Sequence, residues 1–396
     1  MTHRIFGIVV LVFCLSPLKA QDNIDLFGYY EAQYLGAKVK SSYYQLFTNK
    51  LRLDLKGQAA DNITFAANVN FLTYHGRKNW DVLEFLTDDI LSTIPEELRA
   101  LYVIPFEDDI VLDNAYVKFR FKPFDLTVGK QQVSLGTGYV WNPTDIFNIK
   151  DPLDPTYEQP GHNALRADVP LGDSSTATVL YSPEKNWSYS TKLFRFKGRI
   201  SHFDYHLIGV VRDWVFTDFT EFHPESMSFE ATREERRMLG ASTAGELLGL
   251  GVWAEYAHNW MEMSDDFYEL VAGVDYTFDF QTYVMVEYYR NTLGKSDYRD
   301  YDLNDWMRFY ASEQKAISRD QIYVMAQHPA TDLLNVGLIG IASLSDNSVA
   351  LVPTLLYSLS DNVEVYAYLN LNFGSEGTAF SKSQGNGALI RLRVYF

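Results

Sequence analysis

The 396-residue chain holds 34 Lys and Arg against 51 Asp and Glu, a formal charge of −17, so nucleic acid is not an expected partner. Aromatics make up 15% of it, with 27 Tyr and 26 Phe, yet past its start no apolar run approaches the ~20 residues that a membrane-spanning helix needs. Its single cysteine, Cys14, falls in a segment expected to be removed, which excludes disulfides, thiolate metal sites and cysteine nucleophiles from the remainder.

That segment is Met1 to Ala20: a short basic start (His3, Arg4), an apolar run from Ile5 to Leu15, and Leu18-Lys19-Ala20 as a cleavage site. It reads as a secretory signal, too short and wrongly flanked for a membrane span. Its loss takes the formal charge to −19, because it carries two basic residues and no acidic one. Residues 21–396 follow without a Pro-, Gly- or Ser-rich linker and are expected to form a single domain in a bacterial envelope.

From Leu26 onward the chain reads as alternating segments closed by turn residues, the spacing of tilted strands that cross an outer membrane. In Lys50 to Lys56, Leu51, Leu53 and Leu55 alternate with Lys50, Arg52, Asp54 and Lys56. Ile63 to Phe71 repeats the pattern, as do Ala115, Val117 and Phe119 against Tyr116, Lys118 and Arg120, and Val363 to Phe373. The predicted fold class is all-β: a transmembrane antiparallel β-barrel of about 18 strands, or about 16 if a weak segment such as Thr176 to Pro183 is misread. Short turns at Lys122-Pro123-Phe124, Leu171-Gly172-Asp173, Lys197-Gly198, Ala244-Gly245-Glu246, Phe278-Asp279-Phe280 and Ser360-Asp361-Asn362 alternate with long connections. Those lie at His75 to Asp108, Gly136 to Asn163, Trp214 to Arg233 and Leu293 to Arg319, which puts both termini at the short-turn, periplasmic side. With the leucines toward lipid, Leu53→Arg is expected to cost about 2–4 kcal/mol near the midplane and Arg52→Leu little.

One stretch goes beyond barrel patterning. Gly129-Lys130-Gln131 leads through Leu135-Gly136-Thr137-Gly138 to Asn142-Pro143-Thr144-Asp145-Ile146-Phe147-Asn148, then Asp151-Pro152, and later Asn163-Ala164-Leu165-Arg166. It is too rich in Pro and Asn for a strand, and its Asn-Pro and Asp-Pro steps fix extended and turn conformations. Such a loop (136–163) either folds inward to constrict a pore, with Trp141, Asn142, Pro143, Asp145, Asn148 and Asp151 at the narrowing, or packs as a lid on the rim. The motif resembles the signature of a large group of bacterial outer-membrane barrels and, more loosely, that of porin-type and alginate-export-type channels. It departs from that pattern in carrying Leu135 where a Trp often precedes the glycine. The resemblance covers this stretch alone and implies a porin-like channel without naming a solute.

Charge patterning supplies further candidates. Lys50, Arg52, Lys118, Arg120, Arg166, Arg391 and Arg393 share the inner faces of strands that become neighbours once a barrel closes, while Glu255, Glu269, Asp275 and Glu287 fall on strands opposite. Facing basic and acidic walls would set ion preference; the plainer reading is a water-filled lumen whose charges pair internally. His202, Asp204 and His206 alternate along one strand face and are competent metal ligands as residue types, but a solvated lumenal stripe is the favoured reading, and no metal or other cofactor is expected. No Gly-x-Ser-x-Gly elbow or Ser-His pair is present, so enzymatic chemistry is not expected.

The last stretch, Gly387 to Phe396, alternates Ala388, Ile390, Leu392, Val394 and Phe396 with Leu389, Arg391, Arg393 and Tyr395. It resembles the C-terminal strand by which outer-membrane barrels are recognised for assembly, with Phe396 as the signal. The implied partners are outer-membrane lipid, the barrel-assembly machinery and small hydrophilic solutes; a homo-oligomer is compatible with the pattern. The expected function is diffusion of hydrophilic solutes or ions across the outer membrane. The alternatives are a transporter of an amphipathic or polymeric ligand through a plugged barrel, and a barrel enzyme or adhesin.

Overall fold

The computed structural model describes residues 23–150, 152 and 158–396; the signal segment and Asp151 lie outside the described residues. Its strands, in chain order, are β1 (Ile24–Val39), β2 (Ser42–Ala60), β3 (Ile63–Gly76), β4 (Asn79–Asp81), β5 (Val103–Pro105), β6 (Asp109–Arg120) and β7 (Asp125–Gln132). Next come β8 (Gly161–Pro170), β9 (Thr176–Ser182), β10 (Thr191–Ile200), β11 (Phe203–His223), β12 (Ser228–Leu247), β13 (Leu250–Met261) and β14 (Phe267–Thr277). The series ends with β15 (Tyr283–Asn291), β16 (Asp320–Pro329), β17 (Leu334–Ser343), β18 (Ser348–Ser360), β19 (Val363–Phe373) and β20 (Asn386–Tyr395). All but β4 and β5 join one 18-stranded sheet in which each strand pairs antiparallel with the next and β20 pairs back onto β1. Closure leaves no strand edge and satisfies every ladder within the protein, which is what a strand-built membrane span requires.

Alternation decides which side faces lipid. Phe194, Leu207, Leu239 and Ile390 are exposed, while their chain neighbours Leu193, Ile208, Met238 and Leu389 are buried inside the barrel. An apolar exterior of this extent is stable only against hydrocarbon, and the chain is an outer-membrane β-barrel. In β6 the alternation changes phase. A register shift opposite Asn68 and Val69 turns both Asp113 and Asn114 inward, so that Ile110 and Leu112 before it, and Ala115 and Val117 after it, share the outer face.

Three boundaries differ from those expected. Lys197 and Gly198 are not a turn but lie within β10, paired with His206 and Tyr205, and the β10–β11 turn is at Ser201-His202. The β12–β13 turn is not at Ala244 to Glu246 but at Leu248-Gly249, both at positive φ (56° and 81°), the backbone of a tight two-residue hairpin. Likewise Trp214 to Arg233 is not a loop. β11 and β12 stay paired up to His223 opposite Ser228, with one irregularity between Asp218 and Phe222. Both faces of that tall hairpin project beyond the membrane, so acidic residues are tolerated there and its composition looks like that of a connection.

The long connections meet across one mouth. Val82, Leu83, Leu86, Ile94 and Tyr102 from residues 77–108 share an apolar cluster with Tyr301, Leu303, Trp306 and Met307 from residues 292–319 and with Phe219 of β11. The Tyr102 hydroxyl donates to the Phe219 carbonyl at 2.6 Å, and Gln384 Nε2 to the Phe85 carbonyl at 3.0 Å, tying segments from well-separated strands into a roof.

Candidate functional site

Past β7 the chain leaves the wall at Val133 and crosses the lumen. Two inward carboxylates from the opposite wall hold it. Glu255 of β13 accepts from the backbone N–H groups of Thr137 (2.7 Å) and Gly138 (3.2 Å), and from the N–H (2.5 Å) and hydroxyl (2.8 Å) of Thr144. Glu287 of β15 accepts from the N–H groups of Tyr139 (2.6 Å), Val140 (2.9 Å) and Trp141 (2.9 Å), and from the Trp253 indole (2.6 Å). The two carboxylates are 1% and 0% exposed. Backbone without a ladder needs acceptors, and buried carboxylates need donors, so each group removes the other's desolvation penalty. Gly136, at φ 81°, makes the bend; a Cβ there would come within 2.5 Å of Glu255 Oε2.

The Asn-Pro-Thr-Asp-Ile-Phe-Asn run ties the segment to itself. Asp145 accepts from the N–H groups of Leu135 (3.3 Å), Phe147 (3.0 Å) and Asn148 (3.1 Å) and from Asn148 Nδ2 (3.0 Å). Asn148 Nδ2 also donates to the Val133 carbonyl at 2.7 Å, and Asn142 Nδ2 to the Leu135 carbonyl at 3.2 Å. Burial pushes the Asp145 carboxyl above its usual range, against the pull of those donors. Val140 and Trp141 pack on Trp253, Val271, Met285, Tyr289, Tyr323 and Ile339, with the Trp141 and Tyr289 rings stacked at 5.0 Å and 7°. Gly240 lies under Thr144: a Cβ there would meet Thr144 Cγ2 at 2.4 Å. On the near flank Val133 and Leu135 join Leu180, Leu193, Ile208 and Met238.

These contacts locate each expected residue. Trp141, Asn142, Pro143, Asp145 and Asn148 lie in the crossing segment and are buried within it. Glu255 and Glu287 are its anchors. Glu269 accepts from the Tyr289 hydroxyl at 2.6 Å and pairs with Lys315 at 3.1 Å, while Asp275 accepts from the Tyr283 hydroxyl at 2.9 Å.

The basic residues are held by carboxylates that sequence reasoning did not single out. Lys50 meets Glu158 at 2.8 Å. Arg52 meets Asp54 at 2.9 Å, Glu158 at 3.0 Å and Asp113 at 3.6 Å. Arg393 and Arg391 lie 2.6 and 3.7 Å from Glu31, Arg166 is 2.9 Å from Asp168, and Lys118 is 2.7 Å from Asp125. Arg120 stands exposed at the end of β6, beside the short turn. Burial raises the Glu158 carboxyl, but Lys50, the Tyr29 hydroxyl and Arg52 outweigh it and hold it below the usual carboxylate range. Glu31 could have been found from its inward parity on β1; Asp113 is inward only because of the β6 irregularity, and nothing in the pattern brings Glu158 back to β2. His202 lies in a turn, and Asp204 is taken by Arg199 at 2.7 Å. Among the described residues no cluster of three His, Cys, Asp or Glu is arranged to hold a metal.

Beside the segment a cavity of 760 Å³ stays open, lined by Arg52, Gln132, Ser134, Tyr139, Lys150, Glu158, Gln159 and Asp275 among others.

No family model matches the sequence, and no curated protein matches it. Among solved structures, the chain is similar to a loop L8 deletion mutant of OmpT, an outer membrane protein of Vibrio cholerae, at TM-score 0.48 and 11% identity, covering 94% of this chain and 99% of that one. In-vitro folded OmpT of the same organism gives 0.47 and 11%, over 96% and 99%. A triple mutant of Rhodopseudomonas blastica porin gives 0.47 and 13%, over 94% and 100%.

Proposed function

We propose that this barrel is a channel for passive diffusion of small hydrophilic solutes and ions across the outer membrane, with the segment 133–150 as its constriction. The observation that carries the reading is the suspension of that segment from Glu255 and Glu287, beside a cavity lined by amides, hydroxyls and paired ions. Held along its middle, from Thr137 to Trp141 and at Thr144, the segment narrows the lumen without needing to move. The polar lining favours a water-filled path over a tunnel for an apolar ligand. Because Lys50, Arg52, Arg166, Arg391 and Arg393 all lie beside carboxylates, ion preference should be weak rather than strongly anionic. No catalytic role is part of this reading. Planar-bilayer recording with purified protein is its test: discrete conductance steps in KCl, with liposome swelling in small neutral sugars, are expected. Many verified insertions without steps or swelling would contradict it.

A further inference from the structure

On the roofed side of the segment lies a second cavity, of 370 Å³, walled by Asp145, Ile146, Phe147 and Ile149, the upper parts of β11 and β12, and Glu313 to Lys315. Its cations differ in one respect. Arg236 lies 4.1 Å over the Trp214 ring, donates to Asn259 Oδ1 at 2.8 Å and sits 3.8 Å from Glu269. Lys315 shares Glu269 at 3.1 Å, and Arg233 is paired with Asp213. Arg212 instead donates only to two backbone carbonyls, Asp213 at 3.2 Å and Ile146; among the described residues no carboxylate forms an ion pair with it, and Asp213, Glu184 and Asp145 act on its charge only through space. A guanidinium carries five N–H donors in a planar fork, so two carbonyls leave most of that capacity unused at a cavity wall.

We propose that this cavity binds a small monocarboxylate with a flat apolar body, its carboxylate on the Arg212 guanidinium and its body against Trp214 and Phe147. The charge follows from the surroundings. One carboxylate can take the unused N–H fork of Arg212, whereas Asp145, Glu184, Asp213, Glu269 and Glu313, which border the same space, would repel a second negative charge. The apolar body follows from the rings beside the cation, and the volume falls in the range of small-molecule sites. As a station that a solute meets before the constriction, the site rests on the channel reading for its role in passage; binding itself does not.

The test is calorimetry on the mature protein in detergent, with sodium benzoate, benzyl alcohol and inorganic phosphate as probes. Saturable benzoate binding is expected, with the alcohol and phosphate weaker by about tenfold or more, as a lost charged hydrogen bond implies. Arg212→Gln should weaken benzoate by a similar factor and Arg212→Lys by less, in protein that retains heat-modifiable mobility. Absence of benzoate binding, equal binding of phosphate, or unchanged affinity in Arg212→Gln would each overturn the proposal. Should that variant not fold, the three probes on the wild-type protein still decide. KCl conductance is recorded separately: a protein that conducts but ignores benzoate removes this site alone, and one that binds benzoate without conducting removes only the channel.

Discussion

Glu255 on β13 accepts both the backbone N–H and the hydroxyl of Thr144 through one oxygen, at 2.5 and 2.8 Å, while its other oxygen takes the N–H groups of Thr137 and Gly138. One strand residue thus fixes both ends of a bend in the segment crossing the lumen. Pro143 and Thr144 are the centre of a turn closed by the Asp145 N–H on the Asn142 carbonyl at 3.1 Å, and the fixed φ of proline suits the first central position, which explains why an Asn-Pro-Thr sequence suits this place.

Thr144→Val keeps the shape but loses the hydroxyl donor, and should cost about 1 kcal/mol in urea unfolding from detergent. Glu255→Ala strands several donors and should cost more, about 2–4 kcal/mol. Equal losses in the two variants would mean that the carboxylate does not hold the segment.

Phe396 closes the barrel through backbone bonds to Gly28, donating at 3.1 Å and accepting at 3.0 Å. Its ring stands against Gly28, where a Cβ would approach Phe396 Cζ to 3.2 Å. Phe396→Ser keeps the backbone bonds but loses the aromatic end, and should lower the yield of heat-modifiable, membrane-inserted barrel. Wild-type yield would show that the ring is dispensable for assembly.

Leu53 shares its outward parity with Leu51 and Leu55, and Leu53→Arg should cost about 2–4 kcal/mol if it lies near the midplane. The sequence expectation that Arg52→Leu costs little does not survive its contacts. Removing that guanidinium leaves Asp54, Asp113 and Glu158 without their shared cation, a loss of about 1–3 kcal/mol. Unfolding free energies of both variants check this; a neutral Arg52→Leu would mean that water, not Arg52, solvates those carboxylates.

The roof should respond to pH. In the helix Leu303–Tyr310, Asp305 and Asp302 cap each other's N–H groups at 3.1 and 2.9 Å. Burial, reinforced by the charge of Asp302, pushes the Asp305 carboxyl from 3.8 up to about 6. The folded roof therefore holds the proton more tightly than the unfolded chain. Its contribution is complete below 3.8 and is lost as pH rises through about 6. Hydrogen exchange of this helix, corrected for intrinsic rates, should show more protection at pH 4.5 than at pH 7.5, with a smaller difference in Asp305→Asn. An identical pH response in that variant would refute the assignment.

Strand periodicity carried the barrel, its closure and its lipid face, because lipid imposes a strict alternation on residues such as Leu51, Leu53 and Leu55. Where lipid stops, legibility stops. The β11–β12 hairpin beyond Trp214 meets no lipid, packing Phe219 against the roof instead, and so it read as loop. The inner face around Met285, Tyr323 and Ile339 is apolar because the segment covers it, a fact that no strand-by-strand pattern contains. The turn chemistry of Asn142 to Asn148 marked a stiff loop, but its partners Glu255 and Glu287 lie far along the chain. Charge alone made those two an acidic wall; their hydrogen bonds make them anchors.

The most direct test of the account is single-channel conductance of the wild-type barrel beside Glu255→Ala/Glu287→Ala, with both shown to insert in equal amounts. Releasing the segment should raise the unit conductance and admit larger neutral sugars in liposome swelling, while the wild type shows smaller, steady steps. Equal conductance and an equal size limit in the two proteins would contradict the claim that the suspended segment is the constriction.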